Sequence, residues 1–253
     1  MMAPVAIPAT MMALAGMPAA MIAPPVSPGG AATGGMSGAA LLQQRYAAER
    51  ERLLARAADD APAGEYASPV FGEGAAQPTV MFVGEAPGAE ETRLGRPFVG
   101  RAGRQLDALL LSAAIDRSAA YVTNVVKYRP VVRGAHGARN RTPGRAEVTD
   151  ALPLLLVEIQ TLVPQVIVTL GNVPLGALLA LADAAPGSIG SLHGRPIPLR
   201  LDGAVRTLFP LYHPASAIYN RSLLPVLEAD VRALGEHLVK RVGTCGAGHK
   251  TMI

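Results

Sequence analysis

Four short runs of apolar, largely β-branched residues alternate with segments of helical periodicity along most of this chain. The runs lie at residues 78–84, 120–126, 164–171 and 206–212 between turn-forming residues, a pattern typical of buried strands. Apolar residues recur at helical spacing over 41–58, 102–112, 147–162, 173–183 and 222–239. This alternation predicts an α/β fold of three layers, in which a central, mainly parallel, four-stranded sheet has helices on both faces.

Polar side chains follow three of these strands. Glu85 comes directly after the first strand, Asn124 lies at the end of the second, and His213 follows the fourth. Ligands bind beyond the carboxyl ends of the strands in open α/β sheets, so we expect the three groups to meet at one edge. A carboxylate, an amide and an imidazole would then face one ligand.

The loop after the first strand adds further candidates to that edge. Within VGEAPGAEETRLGRPFVGRAG, which runs over residues 83–103, the turn at Gly88 leaves backbone N–H groups free for an anion. Phe98 offers an aromatic face for a flat ligand. Each residue also has a structural alternative: Glu90 and Glu91 as a solvated pair, Phe98 as core, and Asn124 as a cap.

Both ends of the chain differ in composition from the rest. Residues 1–40 contain no charged side chain, and prolines interrupt their apolar runs. Neither a secretory signal nor a membrane span fits this pattern, so we interpret 1–40 as a disordered extension and expect a cytoplasmic protein. Residues 241–253 are glycine-rich and predict a flexible tail.

Arginine supplies nearly all of the positive charge. The formal net charge is +4 with a pI near 9.5, and the segment from Lys127 to Arg145 contains no acidic residue. This segment, which includes Arg141, suits phosphate groups or is merely solvated. Cys245 is the only cysteine, which excludes an intramolecular disulfide and a cysteine-based metal cluster and leaves no metal site to expect.

Several motifs occur together in an order that one family shares. They are VFGEG, GEAPG, GRPFVGRAG, TNVVK-x-RP, NRTP and HPAS, spread from about residue 70 to the last helix. In these motifs the chain resembles the uracil-DNA glycosylase superfamily, most closely its family 4. The resemblance covers the chain from about Val70 to the last helix, and we expect residues 41–240 to form one glycosylase-like domain.

The resemblance implies an enzyme that flips uracil out of DNA and hydrolyses its N-glycosidic bond, leaving an abasic site. Phe98 would stack on the base, and the Asn124 amide would bind its N3 and O4 edge. His213 would donate to uracil O2, which gains negative charge as the base leaves. Ala86 would influence whether a 5-methyl group clashes.

The resemblance also implies roles for residues around the base. Glu85 would organise the pocket, and Glu91 would position water or stabilise the cation-like sugar. DNA-contacting residues would be Gly88, Lys127, Arg141, Gly171, Ser216, Asn220 and Arg221. The segment after Pro214 would fill the space left by the flipped base, although it also suits a plain lead into the last helix.

The sequence departs from family 4 at the iron–sulfur cluster. That family holds a 4Fe–4S cluster with four cysteines, one of them in the place of Tyr128 and one near Ala151, and none of the four occurs here. We therefore expect no cofactor. The first hypothesis is a monomeric glycosylase for uracil or another deaminated base. The alternatives are a weak or inactive relative that binds DNA or damaged bases, and a nucleotide-binding α/β domain of other function.

Overall fold

The computed structural model describes residues 37–59, 64–135 and 137–245. The helices are α1 (Gly38–Asp59), α2 (Ala89–Leu94), α3 (Arg101–Ser112), α4 (Arg145–Leu162), α5 (Asn172–Leu181), α6 (Ile189–Leu192), α7 (Ala215–Tyr219) and α8 (Leu224–Cys245). The strands are β1 (Gly64–Glu65), β2 (Glu73–Gly74), β3 (Val80–Gly84), β4 (Tyr121–Asn124), β5 (Arg129–Gly134), β6 (Gly137–Asn140), β7 (Val166–Leu170), β8 (Ile197–Leu201) and β9 (Ala204–Leu211).

The central sheet has the order β2-β4-β3-β7-β9-β8. Its four middle strands are parallel and are the four strands that the apolar runs predict, which confirms the mainly parallel sheet. Two antiparallel edge strands, β2 and β8, make it six-stranded rather than four-stranded. Neither edge strand has a continuous apolar run, because β2 is two residues long and β8 alternates with Pro198 and Arg200.

The alternation of side chains along β3 separates two apolar layers. Met81 and Val83 lie in a cluster with residues of α1, α4 and α5, whereas Val80 and Phe82 lie in a cluster with residues of α3 and α8. Successive side chains of a strand point to opposite faces of the sheet, so both faces are covered by helices. The predicted three-layer arrangement is therefore confirmed.

The basic segment forms an antiparallel hairpin of β5 and β6, with β1 on the other side of β5. Arg133 and Arg139 are exposed on this hairpin. The hairpin ends at Asn140, and the backbone N–H of Arg141 donates to the carbonyl of Pro130 at 3.1 Å. The hairpin thus carries positive charge at a fixed place beside the central sheet.

The proposed extension and tail lie mainly outside the described residues. Helix α1 begins at Gly38, so it includes the last residues of the proposed extension 1–40. Helix α8 ends at Cys245, so it includes the first residues of the proposed tail 241–253. Within residues 37–59, 64–135 and 137–245, the helices are too short or too polar to cross a membrane.

Candidate active site

A cavity of about 300 Å³ opens where strands β3 and β4 end and where the chain leaves β9. Gly84 and Asn124 are paired at the ends of their two parallel strands. The cavity is lined by Ala86, Gly88, Ala89, Glu90, Glu91, Phe98, Gly100, Arg101, Ala102, Asn124, Asn140, His213, Ala215, Ile218 and Tyr219. Six of the sequence-predicted site residues therefore meet in one wall, namely Ala86, Gly88, Glu91, Phe98, Asn124 and His213.

Phe98 is held in an unusual backbone conformation at the cavity. Its φ is +53°, in the left-handed region that a bulky residue rarely adopts, and the residue is 6% exposed. Two glycines make room for it. A Cβ on Gly103 would lie 1.8 Å from the Phe98 carbonyl oxygen, and a Cβ on Gly84 would lie 2.5 Å from Phe98 Cζ. The ring is therefore fixed by backbone packing rather than by its own rotamer.

Asn124 is 3% exposed and brings its side-chain amide to the same place. A Cβ on Gly84 would lie 2.4 Å from Asn124 Oδ1, so only glycine fits between the strand ends. Within the part of the chain that the structure describes, no group hydrogen-bonds this side-chain amide. Asn124 lines the cavity, so its amide can hydrogen-bond a polar ligand there.

His213 is held as a neutral hydrogen-bond donor. Burial lowers the pKa of its imidazole, and the nearby negative charge of Glu91 opposes the shift. The backbone N–H of Ala215 donates to His213 Nδ1 at 3.2 Å, so a neutral ring carries its proton on Nε2. The ring centroid lies 6.3 Å from that of Phe98. The arrangement offers an N–H donor beside an aromatic face.

The two glutamates of the loop have different surroundings. Glu91 accepts a hydrogen bond from the Gly88 N–H at 3.1 Å and another from the Gly100 N–H at 2.7 Å, so its carboxylate joins the starts of α2 and α3. Glu85 is half-buried and is not among the residues that line the cavity. Burial raises the pKa of the Glu85 carboxyl, and a hydrogen bond with Thr142 opposes the shift.

The burial of Lys127 contradicts the prediction that this residue binds DNA. Its side chain is 1% exposed, and its ammonium forms an ion pair with Glu158 at 2.7 Å. An enclosed ammonium with an ionic partner cannot reach a DNA phosphate. The sequence misled because Glu158, on α4, is distant from Lys127 along the chain but adjacent to it in the fold.

Gly88 lines the cavity, whereas five other residues predicted to contact DNA do not, namely Arg141, Gly171, Ser216, Asn220 and Arg221. Arg141 binds the Glu147 carboxylate with two nitrogens, at 2.5 and 2.9 Å. Gly171 has a φ of +97°, donates its N–H to the Leu211 carbonyl, and leaves room for His213, whose Cβ would lie 3.3 Å from an added Cβ. Its N–H is therefore engaged within the protein.

Three further predicted residues follow His213. The Ser216 N–H donates to the His213 carbonyl at 2.8 Å. Asn220 is exposed and caps a short turn by accepting from the Ser222 N–H at 3.1 Å. Arg221 is exposed next to it. These residues border the segment that leads from the cavity to α8.

Sequence reasoning gave several residues of the wall no place in the base pocket, of which Asn140 and Tyr219 are the most informative. Asn140 Oδ1 accepts a hydrogen bond from Arg129 Nε at 2.7 Å, and Tyr219 is 86% exposed at the cavity. Both occur in segments that the sequence had singled out, NRTP and the stretch after Pro214. The β5–β6 hairpin brings the first to the cavity, and no local pattern indicates that.

At two of the positions where the resemblance implies cluster cysteines, the side chains present do not fit an iron–sulfur cluster. Tyr128 is buried, donates its hydroxyl to Glu147 Oε1 at 2.8 Å, and packs against Tyr66 with ring centroids 4.4 Å apart. Ala151 is 8% exposed within the core around α4. Such clusters need thiolates, and a phenol and a methyl group supply none. In the described ranges, no group of three histidine, cysteine, aspartate or glutamate residues is placed to hold a metal.

Comparison with known proteins finds similarity to uracil-DNA glycosylases. A family model described as the uracil DNA glycosylase superfamily matches residues 71–234, well over half of the chain and the whole cavity wall. The Type-4 uracil-DNA glycosylase of Sulfurisphaera tokodaii is 36% identical over 168 residues, covering 66% of this chain and 73% of that protein. The Type-4 enzyme of Pyrobaculum aerophilum is 37% identical over 179 residues, 70% of this chain and 88% of its own. The Type-4 enzyme of Thermotoga maritima is 41% identical over 153 residues, which cover 60% of this chain and 73% of that protein.

Proposed function

The chain belongs to the uracil-DNA glycosylase superfamily, and on that premise we propose that it removes uracil from DNA at the cavity around Phe98, Asn124 and His213. The reaction hydrolyses the N-glycosidic bond and leaves an abasic site, the first step of base excision repair. The observation that carries the assignment of the site is the convergence of these three side chains in one cavity. The target nucleotide must leave the base stack to reach it.

The wall of the cavity suits the reading of a uracil edge. A flipped base would stack on the Phe98 ring, and the Asn124 amide would accept from uracil N3–H and donate to O4. Cytosine presents the reverse pattern of donor and acceptor, so it would leave the buried amide unpaired. Ala86 lies in the same wall, where a 5-methyl group on the base would approach.

His213 supplies the stabilisation of the leaving group. As the glycosidic bond breaks, negative charge builds on the uracil ring and is shared with O2. An N–H donor fixed before the reaction lowers the energy of that state without reorganisation. The engagement of Nδ1 by the Ala215 N–H supports Nε2 as this donor.

The two glutamates of the loop have separate parts in this proposal. The sugar gains positive charge at C1′, which a nearby carboxylate stabilises. We assign pocket organisation to Glu85 and the water or the sugar cation to Glu91. Glu91 lies in the cavity wall, which supports its part, and its two backbone hydrogen bonds make it an organiser as well.

The DNA strand is proposed to run over the rim of the cavity. Gly88, Ser216, Asn220 and Arg221 would face the backbone on either side of the flipped nucleotide, and the segment after Pro214 would occupy the space that the base leaves. The position of Tyr219 at the cavity, 86% exposed, supports this role for its segment. Arg141 would add positive charge nearby.

We further propose that the protein works as a monomer in the cytoplasm and without an iron–sulfur cluster. At two positions where the resemblance implies cluster cysteines, Tyr128 and Ala151 supply no thiolate for an iron–sulfur cluster. Iron well below one equivalent in the purified protein, together with full activity, is the expected result, and a bound cluster would contradict this part.

A uracil-containing oligonucleotide tests the function. After incubation, alkali cleaves the strand wherever a base has been removed. We expect cleavage by the wild-type protein and a loss of about 100-fold or more for Asn124→Ala and for His213→Ala, because each removes hydrogen bonds made to the base or its developing charge. Strands bound but left intact by the wild type would instead favour a DNA-binding relative without catalysis, the reading that the missing cysteines motivate.

A further inference from the structure

The ammonium of Lys127 is fully used inside the protein. It donates to the Glu158 carboxylate at 2.7 Å, to Thr123 Oγ1 at 2.7 Å and to the main-chain oxygen of Asn124 at 2.6 Å. An ammonium has three donors, so these three acceptors satisfy it. The side chain thus forms a closed link between a helix and the end of strand β4.

Glu158 is held in turn by groups from two other elements. It is 0% exposed and accepts from the Thr123 hydroxyl at 3.0 and 3.1 Å and from the Tyr46 hydroxyl at 2.5 Å. The Tyr46 oxygen also lies 2.6 Å from that of Tyr121. Helix α1 and strand β4 therefore fix the carboxylate, and the carboxylate fixes the ammonium.

Such a network is expensive to bury. Burial lowers the pKa of Lys127, while the negative charge of Glu158 opposes the shift. Buried ion pairs commonly stabilise a fold no better than well-packed apolar residues of similar size. Stability alone is therefore a weak reason for this pair, and its position in the fold is more informative.

Lys127 contacts the residue whose side chain faces the cavity. The Asn124 carbonyl receives the ammonium, and the next two peptide N–H groups are bound to the loop after β3: Val125 N to Gly84 O at 2.9 Å and Val126 N to Glu85 O at 3.1 Å. The peptide planes after Asn124 are thus held on both sides. A fixed backbone restricts the direction in which the Asn124 amide points.

We propose that Lys127, oriented by Glu158, is a positioning residue for the base-reading amide of Asn124. The inference rests on the proposed function and adds to it that selectivity for uracil depends on a buried ion pair behind the pocket. Lys127 contributes to base recognition and not to the binding of DNA phosphates. Without the ammonium, the Asn124 carbonyl loses its donor and the amide gains freedom to turn away from the base.

The test compares the full chain with Lys127→Met and with the double variant Lys127→Met/Glu158→Gln. Single-turnover excision, affinity for uracil-free DNA, calorimetric binding of free uracil and melting temperature are measured for each. Lys127→Met should lower excision about tenfold and weaken uracil binding by a similar factor, since it removes one hydrogen bond that holds the reading group. Affinity for uracil-free DNA should stay within about twofold, because no phosphate contact is lost.

The double variant separates positioning from stability. Lys127→Met leaves Glu158 as an unpaired buried charge, and Glu158→Gln removes that charge, so the melting temperature should rise above that of the single variant. Excision and uracil binding should stay low, because the Asn124 carbonyl still lacks its donor. Leu234→Ala, on the buried face of α8, is the matched control, and it should lower the melting temperature with excision unchanged at 25 °C.

The outcomes are distinct. Wild-type excision and uracil binding in the double variant would overturn the positioning role, as would losses in Leu234→Ala that match those of Lys127→Met. A wild-type chain that binds uracil without excising it would count against the proposed function only, and calorimetry would still decide the role of Lys127. A wild-type chain that does neither would overturn both.

Discussion

At the scale of single residues, the protonation of His213 is set by its surroundings. Burial lowers its pKa from the ordinary value of 6.5, and Nδ1 accepts a backbone hydrogen bond that a proton there would displace. The unfolded chain therefore binds a proton more readily than the folded chain does as the pH falls below 6.5. His213 thus stabilises the fold fully above pH 6.5, and part of that stability is lost as the pH falls through 6.5 toward the folded pKa.

A pH series checks this. Between pH 7.5 and 5.5 the free energy of unfolding should fall more for the wild type than for His213→Asn, with a difference in slope of at most about 1.4 kcal/mol per pH unit for one proton. Urea unfolding at several pH values measures both. The comparison cancels other groups common to the two chains, such as His237. If the free energy of unfolding depends on pH in the same way for the wild type and for His213→Asn, the imidazole titrates alike in the folded and unfolded chains.

At the scale of elements, the hydroxyl of Tyr128 and the guanidinium of Arg141 meet on Glu147 at the start of helix α4. Burial alone would raise the pKa of this carboxyl, but Arg141, the Gly144 N–H and Tyr128 together lower it to about 2. The contacts therefore join the β5–β6 hairpin to the helix. They contribute stability above pH 4.5 that is lost as the pH falls from 4.5 toward 2.

Glu147→Gln should lower the free energy of unfolding at pH 7 by about 1–2 kcal/mol, because two charge-assisted bonds weaken, and Tyr128→Phe by about 1 kcal/mol. Denaturant unfolding gives both values, with the exposed Arg200→Ala as a control near zero. The deficit of Glu147→Gln should shrink on acidification toward pH 3. A constant deficit would show that its charge is not the cause.

Helix α7 carries a second prediction at this scale, at Tyr219. If its ring fills the gap in the duplex, Tyr219→Ala should slow excision from double-stranded DNA about tenfold more than from single-stranded DNA, where the base is already unstacked. Single-turnover rates on both substrates measure the ratio. Leu111→Ala, an exposed apolar residue on α3, is the control. Equal losses on the two substrates would exclude a role in holding the duplex open.

At the scale of the whole molecule, the positive charge is expected to act through the β5–β6 hairpin, which reaches the cavity at Asn140. Replacing Arg133 and Arg139 by alanine should weaken binding of all DNA sequences alike and reduce the slope of log affinity against log salt by up to about 2. Arg200→Ala/Arg232→Ala removes the same charge elsewhere. A similar change in slope for that pair would indicate a diffuse field of charge rather than a local contact.

The four parallel strands could be predicted because each is a continuous apolar run that needs no partner to be recognised. Strand β2 could not, since Glu73 and Gly74 become a strand only by pairing with β4. The cavity residues at strand ends followed from topology and resemblance. The burial of Lys127 did not, because a lysine in a basic segment looks solvated until its acidic partner on another element is known.

Gly84 has a consequence beyond the packing of Phe98. One methyl group added at Gly84 would lie 2.4 Å from Asn124 Oδ1 and 2.5 Å from Phe98 Cζ, so the amide and the ring would both have to move from their places in the cavity wall. The DNA-facing rim, built from other segments, would be untouched. Gly84→Ala should therefore bind DNA as the parent chain does but fail to recognise the base. Such a variant would separate the search for a lesion from its removal.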